Sequence, residues 1–179
     1  YSFKTKNRIF LHRFSKELCG KFRPNHFRGV VDVVNRLSEI VKPKYLFLGK
    51  KDYQQLVLIK RHFYKNKSKI KVIECETYRD SHGVAESSRN KNLSKNQLLI
   101  ARKVFKTIKK LKNKFKYNEI NKTSVINRIK NKIISYGVEE IDYINALNLK
   151  TFKKPNKENK KFKIFIAYHL GKIRLIDNI

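Results

Sequence analysis

The sequence predicts an α/β protein in two parts: a piece of open, parallel-stranded sheet up to about residue 77, then an α+β part with two helices and a small antiparallel sheet. Three observations predict it. The strand-length apolar run Tyr45-Leu46-Phe47-Leu48 and the run Lys71-Val72-Ile73-Glu74-Cys75 flank a helical pattern over residues 53–64, the order of a parallel crossover. Ser94 followed three residues later by Gln97 forms a capping box at the head of a second helical run. The chain closes on two strand patterns, residues 162–168 and 173–176, joined through Gly171 as a hairpin.

The remaining elements follow in order. After Asn25-His26-Phe27-Arg28-Gly29, the residues Val30, Val31, Val33, Val34, Leu37, Ile40 and Val41 recur at helical spacing, which predicts a buried helix ending at Lys42-Pro43-Lys44. Gly49-Lys50-Lys51 is the loop between the first strand and its helix. Residues 77–92 lack periodicity and carry Gly83 and two adjacent serines, so they are expected to form a loop that hinges the two parts. The helix after Ser94 carries Leu98, Leu99, Ala101, Val104, Ile108 and Leu111. The next starts at Ser124, shows Val125, Ile129 and Ile133 on one face, and stops at Gly137. A strand over residues 141–147 follows, and the lysine-rich residues 153–161 with Pro155 read as a solvated loop.

Composition bounds the function classes. The 179 residues are 40% hydrophobic, which is globular rather than disordered, and no window reaches the roughly 18–20 apolar residues of a membrane span. The opening residues 1–10 carry Lys4, Lys6 and Arg8 with no apolar run behind them, so no signal peptide is expected. Cys19 and Cys75 lack any C-x-x-C partner and read as thiols of a reduced, cytoplasmic protein, a disulfide being the lesser reading.

The formal charge of +30 has two explanations. One is a nucleic-acid partner, because clustered cations neutralise phosphates. The other is compositional drift: lysine, asparagine and isoleucine are abundant in loops and helices alike, and the lysines are dispersed over residues 65–71, 109–116 and 153–163. The dispersal favours drift, and no specific nucleic-acid partner is expected.

Ligands of open parallel sheets bind beyond the carboxyl ends of the strands, so the loop after Leu48 is the first candidate site. Gly49 allows close backbone approach, Lys50 and Lys51 are mobile charges suited to phosphate, and a helix start adds unpaired N–H groups. Gln55 would project a donor and an acceptor from the first turn. The competing reading makes Asp52 and Gln55 a capping box, which would occupy both side chains. The second candidate is Gly83-Val84-Ala85-Glu86-Ser87-Ser88-Arg89-Asn90, where two hydroxyls and an arginine can gather phosphate oxygens; the competing reading is a solvent-exposed turn. The five histidines show no metal-ligand spacing, so no metal site is expected, and Cys75, within a strand, reads as a small buried hydrophobe.

Four blocks taken in order resemble the pantothenate synthetases: Arg23-Pro24-Asn25-His26-Phe27-Arg28-Gly29-Val30, then Gly49-Lys50-Lys51-Asp52-Tyr53-Gln54-Gln55-Leu56, then Ser87-Ser88-Arg89-Asn90 with Leu93-Ser94, and finally Arg174-Leu175-Ile176-Asp177-Asn178-Ile179. The resemblance weakens only over residues 105–159. It implies the C-terminal part of a Rossmann-like nucleotidyltransferase sheet (residues 1–77) followed by a signature loop and a small α+β lid domain (residues 78–179).

It further implies an ATP-dependent ligase that joins pantoate to β-alanine through a pantoyl adenylate, with Mg2+ accompanying ATP. Gly49, Lys50, Lys51, Asp52, Tyr78, Glu86, Ser87, Ser88 and Arg89 match the ATP contacts, Tyr78 by its backbone. Lys51, Ser87, Ser88 and Arg89 support catalysis, and Gln55 matches the pantoate glutamine. The family is expected to be a homodimer.

Three departures stand out. Glu86 replaces a methionine, Asn25 replaces a glycine, and the H-x-G-H segment that supplies the family's catalytic histidine is not among these residues, so the chain alone is expected to be inactive. A basic RNA- or anion-binding module, or another nucleotidyltransferase of the superfamily, are the competing functional readings.

Overall fold

The computed structural model describes residues 8–114, 116, 119–157 and 161–179. Residues 1–7 of the opening segment and residues 158–160 of the lysine-rich loop lie outside the described residues. The chain divides into two compact units, Tyr1–Glu76 and Thr77–Ile179.

In the first unit a short helix α1 (Cys19–Phe22) precedes α2 (His26–Val41), and strand β1 (Tyr45–Gly49) leads into α3 (Tyr53–Lys65) and strand β2 (Lys71–Cys75). β1 and β2 pair in parallel, with Tyr45 opposite Lys71 and Gly49 opposite Cys75, the crossover the strand–helix–strand spacing predicts. α2 begins at His26, earlier than its valines suggest, because Asn25 takes up the left-handed conformation at φ 61° and turns the chain into the first turn. Asparagine tolerates that region well, its short polar side chain bonding locally.

The expectation that α2 is buried is only half right. Phe27, Val31, Asn35 and Ser38 form its buried stripe, whereas Val33, Leu37, Ile40 and Val41 are exposed, Val41 at 68%. The reason is that the helix is apolar over more than one face while, among the described residues of its own unit, α3 and the neighbouring turns cover just one of them. Cys75 is likewise exposed rather than buried, since β2 has just one half-buried position, Val72, in its length. Both cysteines are thiols.

A polar line crosses the interior of this unit. His62, 1% exposed, accepts from the Phe10 N–H at Nδ1 (3.2 Å) and bonds through Nε2 to Asn35 Oδ1 (3.0 Å), and Asn35 Nδ2 donates to Glu39 (3.0 Å). A ring that accepts at Nδ1 and donates at Nε2 is neutral. Burial accordingly pushes the His62 pKa below the ordinary value of 6.5, and burial beside Arg61 and Arg13 does the same to His12. Each group therefore binds more protons unfolded than folded just below pH 6.5, so its contribution is complete above that value and is lost as pH falls towards the depressed folded pKa. The urea midpoint of this unit is expected to drop between about pH 7.5 and about pH 5, with a shallower slope in His62→Gln. A midpoint flat across that range would contradict the neutral, buried assignment.

The second unit packs α4 (Lys95–Lys114) and α5 (Thr123–Ile134) on an antiparallel sheet of β3 (Glu140–Asn148), β4 (Phe162–Leu170) and β5 (Ile173–Asn178), in that order. The capping box forms as expected: Gln97 N–H donates to Ser94 Oγ (3.2 Å) and Ser94 N–H to Gln97 Oε1 (2.9 Å). Ala101, Val104, Ile108 and Leu111 of α4 meet Val125, Ile129 and Ile133 of α5 and Ile144, Ile164 and Ile166 of the sheet in one apolar core. Ile100 belongs to that core whereas Leu99 faces out, a shift of one position from the expected face. Gly171, at φ 57°, makes the tight turn between β4 and β5.

Residues 77–92 are not a structureless connection. Arg79 and Ala85 form an antiparallel bridge, Val84 and Ala85 are buried, and the segment belongs to the second unit. Its order comes from side chains bonding to backbone, which leaves no periodic trace in sequence. Asp80 Oδ1 accepts from the His82 and Val84 N–H groups (2.9 and 2.8 Å), and Asn90 Nδ2 donates to the Ala85 carbonyl (3.0 Å).

Candidate functional site

Both parallel strands of the first unit end at the same edge, and the residues following β1 stand there. Lys50–Asp52 form a single 3-10 turn that runs straight into α3. Lys50 is bonded to Glu76, just past the end of β2, and that hydrogen bond holds its pKa above the usual lysine value. The Lys51 ammonium lies 3.8 Å from Asp52 Oδ1. Asp52 occupies the N-cap position of α3 at φ −95°, ψ 53° and makes no side-chain cap bond, so the capping box with Gln55 does not form.

The adjacent glutamines play opposite parts. Gln54 is 6% exposed; its amide donates to the Phe14 and Glu17 carbonyls, both at 2.7 Å, and its Oε1 accepts from the Cys19 N–H at 3.2 Å. It pins residues 13–22 onto α3. Gln55 is half-buried and its side chain makes no hydrogen bond among the described residues, leaving both ends of its amide available. The structural role of Gln54 was not foreseen from sequence, because its partners are backbone groups about 35 to 40 residues away.

Gly49 has the ordinary extended geometry φ −72°, ψ 134°, and a Cβ built there would meet nothing within 4 Å. Nothing in the unit itself therefore requires glycine. Gly49→Ala is expected to leave the unfolding free energy within about 0.5 kcal/mol of the parent while weakening nucleotide binding, as measured by titration calorimetry. Equal affinity in the two would show that the space above Gly49 is unused.

In the second unit the hairpin places the other candidate residues. The Tyr78 ring is exposed and its carbonyl accepts from the Glu86 N–H at 3.0 Å, so that oxygen is engaged by the hairpin. Glu86 itself is exposed. Ser87 Oγ accepts from the Arg89 N–H at 3.3 Å and caps the 3-10 turn Ser88–Asn92, while Arg89 Nη1 donates to the Arg174 carbonyl at 3.2 Å. Ser88 and Arg89 are exposed. Asn90 Oδ1 is buried without a hydrogen-bond partner among the described residues.

One trio of potential metal ligands converges among the described residues: Glu140, Asp142 and His169, with ligand atoms within 4.8 Å. Asp142 is already bonded to Arg174 at 2.6 Å and to His169 at 3.2 Å, so its charge is balanced by an arginine. The cluster is a strand-to-strand tie. No described helix is long and apolar enough to cross a membrane.

A parallel β–α–β unit with a cationic glycine loop at its carboxyl edge, followed by a unit of two helices on an antiparallel sheet that carries a Ser-Ser-Arg turn, defines an α/β protein. The family model for pantoate-beta-alanine ligase matches residues 1–179, and the chain belongs to that family.

A pantothenate synthetase of Sulfurihydrogenibium is 38% identical over 167 residues, covering 92% of this chain and 59% of the relative. One of Flavobacterium psychrophilum is 34% identical over 182 residues, covering all of this chain and 64% of the relative. The chain thus spans roughly three fifths of the length of these relatives. Among solved structures, the Francisella tularensis ligase complexed with beta-gamma ATP and beta-alanine is 36% identical with a TM-score of 0.73, over 94% of this chain and 55% of that one. The Thermus thermophilus pantothenate synthetase superposes with a TM-score of 0.82 at 24% identity, over 96% of this chain and 62% of that one, and shows the same fold. These relatives support the ligase reading and lend nothing to an RNA-binding module.

Proposed function

We propose that this chain carries the ATP loop, the pantoate glutamine and the Ser-Ser-Arg signature of an ATP-dependent pantoate–β-alanine ligase. The observation that carries the reading is the division of labour at the carboxyl edge of the sheet: Gln54 is consumed by the fold, while Gln55 and the space above Gly49 are left open. The Francisella relative was solved with beta-gamma ATP and β-alanine, which correspond to two of the three substrates this reading needs.

In the first step a pantoate carboxylate oxygen attacks the α-phosphorus of ATP and the bond to pyrophosphate breaks. In the second the β-alanine amine attacks the acyl carbon, loses a proton, and AMP leaves. Two anions meet in the first step, so the protein's contribution is alignment and charge neutralisation. Lys51 supplies a point charge, Arg89 a multi-donor fork, and the Ser87 and Ser88 hydroxyls hydrogen bonds, with Lys50 held in place by Glu76. Gln55 orients pantoate, and the Tyr78 segment borders the adenine. Glu86 sets a negative charge next to the triphosphate and lowers its affinity relative to a neutral residue.

Magnesium would neutralise the phosphates. Asp52 is the exposed carboxylate of the loop, a donor set suited to an ion held mainly by phosphate oxygens and water. The domain limits 1–77 and 78–179, a cytoplasmic location and a homodimeric parent enzyme belong to the same proposal.

Because no H-x-G-H segment occurs in these residues, the 179-residue polypeptide is expected to bind ATP but not to turn over. Supplying ATP, magnesium, pantoate and β-alanine and measuring AMP release tests it. Robust AMP formation would overturn the incompleteness of the site, and loss of ATP binding with Gln55, Lys51 and Arg89 intact would overturn the site itself.

A further inference from the structure

The turn that presents Ser87, Ser88 and Arg89 is fastened to β5 at two places. Arg79 donates from Nη1 and Nη2 to the two carboxylate oxygens of Asp177 at 2.7 and 2.9 Å. The same guanidinium reaches the Gly83 carbonyl (2.9 Å) and the Asn178 carbonyl (3.3 Å), and its Cζ lies 4.9 Å from the ring centre of Phe105 on α4. One side chain thus gathers the hairpin, the end of β5 and a helix. At the far end of the segment, Arg89 Nη1 meets the Arg174 carbonyl, three residues before Asp177 on the same strand. Between these points Glu86 N–H closes on Tyr78 and Asn90 on Ala85.

We propose that Arg79 and Asp177 are a positioning pair: they lock residues 78–86 onto β5 and thereby fix where the Ser87, Ser88 and Arg89 donors stand. This rests on the reading of those donors as phosphate contacts. Polyphosphate then meets groups already in place, so the cost of ordering a loop on binding is avoided. The pair suits the task because it is bidentate and only 22% and 13% exposed, so solvent screens it weakly. A lysine at position 79 keeps the charge but lacks the fork that holds Asp177, Gly83 and Asn178 together. Neither residue contacts the reacting atoms in this arrangement; both act through the turn.

Hydrogen exchange on the full chain, free and with magnesium–ATP, tests the proposal. In Asp177→Asn and in Arg79→Lys, the amides of Val84, Glu86 and Asn90 are expected to exchange at least about tenfold faster, while those of α4 and β4 keep the parent's protection. For ATP affinity, Asp177→Asn and Arg89→Ala are each expected to lose about tenfold, and the double variant no more than either, because Arg89 is already misplaced when Asp177 is neutral. Unchanged exchange in the hairpin, protection lost evenly through the whole unit, or additive losses in the double variant would overturn the positioning role. If the parent chain fails to bind ATP, the phosphate reading falls, and the exchange pattern by itself decides whether the pair fixes the turn.

Discussion

Replacing Gln54 by leucine is expected to destabilise the first unit by about 1–3 kcal/mol, whereas the same change at Gln55 leaves stability within about 0.5 kcal/mol and acts on ligand affinity. The asymmetry follows from what each amide leaves behind. Removing the Gln54 amide takes away three hydrogen bonds at once, each worth about 0.5–1.5 kcal/mol net, although the Phe14 and Glu17 carbonyls keep the Glu17 and Gly20 N–H groups as donors. Leucine recovers part of that through apolar burial, which keeps the total below the simple sum. The segment it grips is strained at Leu18, which sits at φ 47°, and tightly packed at Gly20, where a Cβ would come within 1.6 Å of the Ser15 carbonyl oxygen. Loss of the grip should release residues 13–22 first, so local proteolysis or exchange there should precede global unfolding. Urea midpoints of the two variants, measured side by side, decide the matter; equal midpoints would remove the distinction on which the site reading stands.

Gly83→Ala should cost the second unit about 3 kcal/mol and carry the Ser-Ser-Arg turn with it. Gly83 lies at φ 92°, where an L side chain is strained by about 1–3 kcal/mol. A Cβ there would also fall 1.9 Å from the Phe105 ring, which carries the Arg79 guanidinium over its face. The ring must rotate, and the cation–π contact, roughly 0.5–2 kcal/mol, goes with it. The expected signature is a lower thermal midpoint together with faster exchange at Val84 and Glu86. A midpoint unchanged from the parent would show that Phe105 yields freely.

Much of the architecture is legible in the sequence because the signals are local. The capping box at Ser94, the alternation of strand and helix over residues 45–75 and the Gly171 turn each depend on residues a few positions apart. What was illegible depends on distance. The burial of α2 was misjudged because periodicity tells which residues share a face but not whether another element covers it. The ordering of residues 77–92 was missed because its ties run from Arg79 to Asp177, 98 residues away, and from Asp80 to neighbouring backbone. The cationic loop after β1 was found from the strand-end rule and local residue types. Gln55 stands out there too, and the structure adds that its neighbour Gln54 is bonded into the fold.

The uncovered side of α2, with Val33, Leu37, Ile40 and Val41, lies in the same unit as the exposed Tyr45 and Phe47 of β1, a strand with no second neighbour among the described residues. In a dilute, salt-poor buffer, copies carrying a formal +30 charge repel one another over tens of ångströms and stay dispersed despite those faces. Raising the ionic strength shortens that repulsion to about 3 Å near 1 M, and adding a polyanion neutralises it, so the apolar faces and open strand edge can then meet. For this chain the charge excess acts as a colloidal stabiliser, and its shelf life in solution is set by screening before it is set by unfolding.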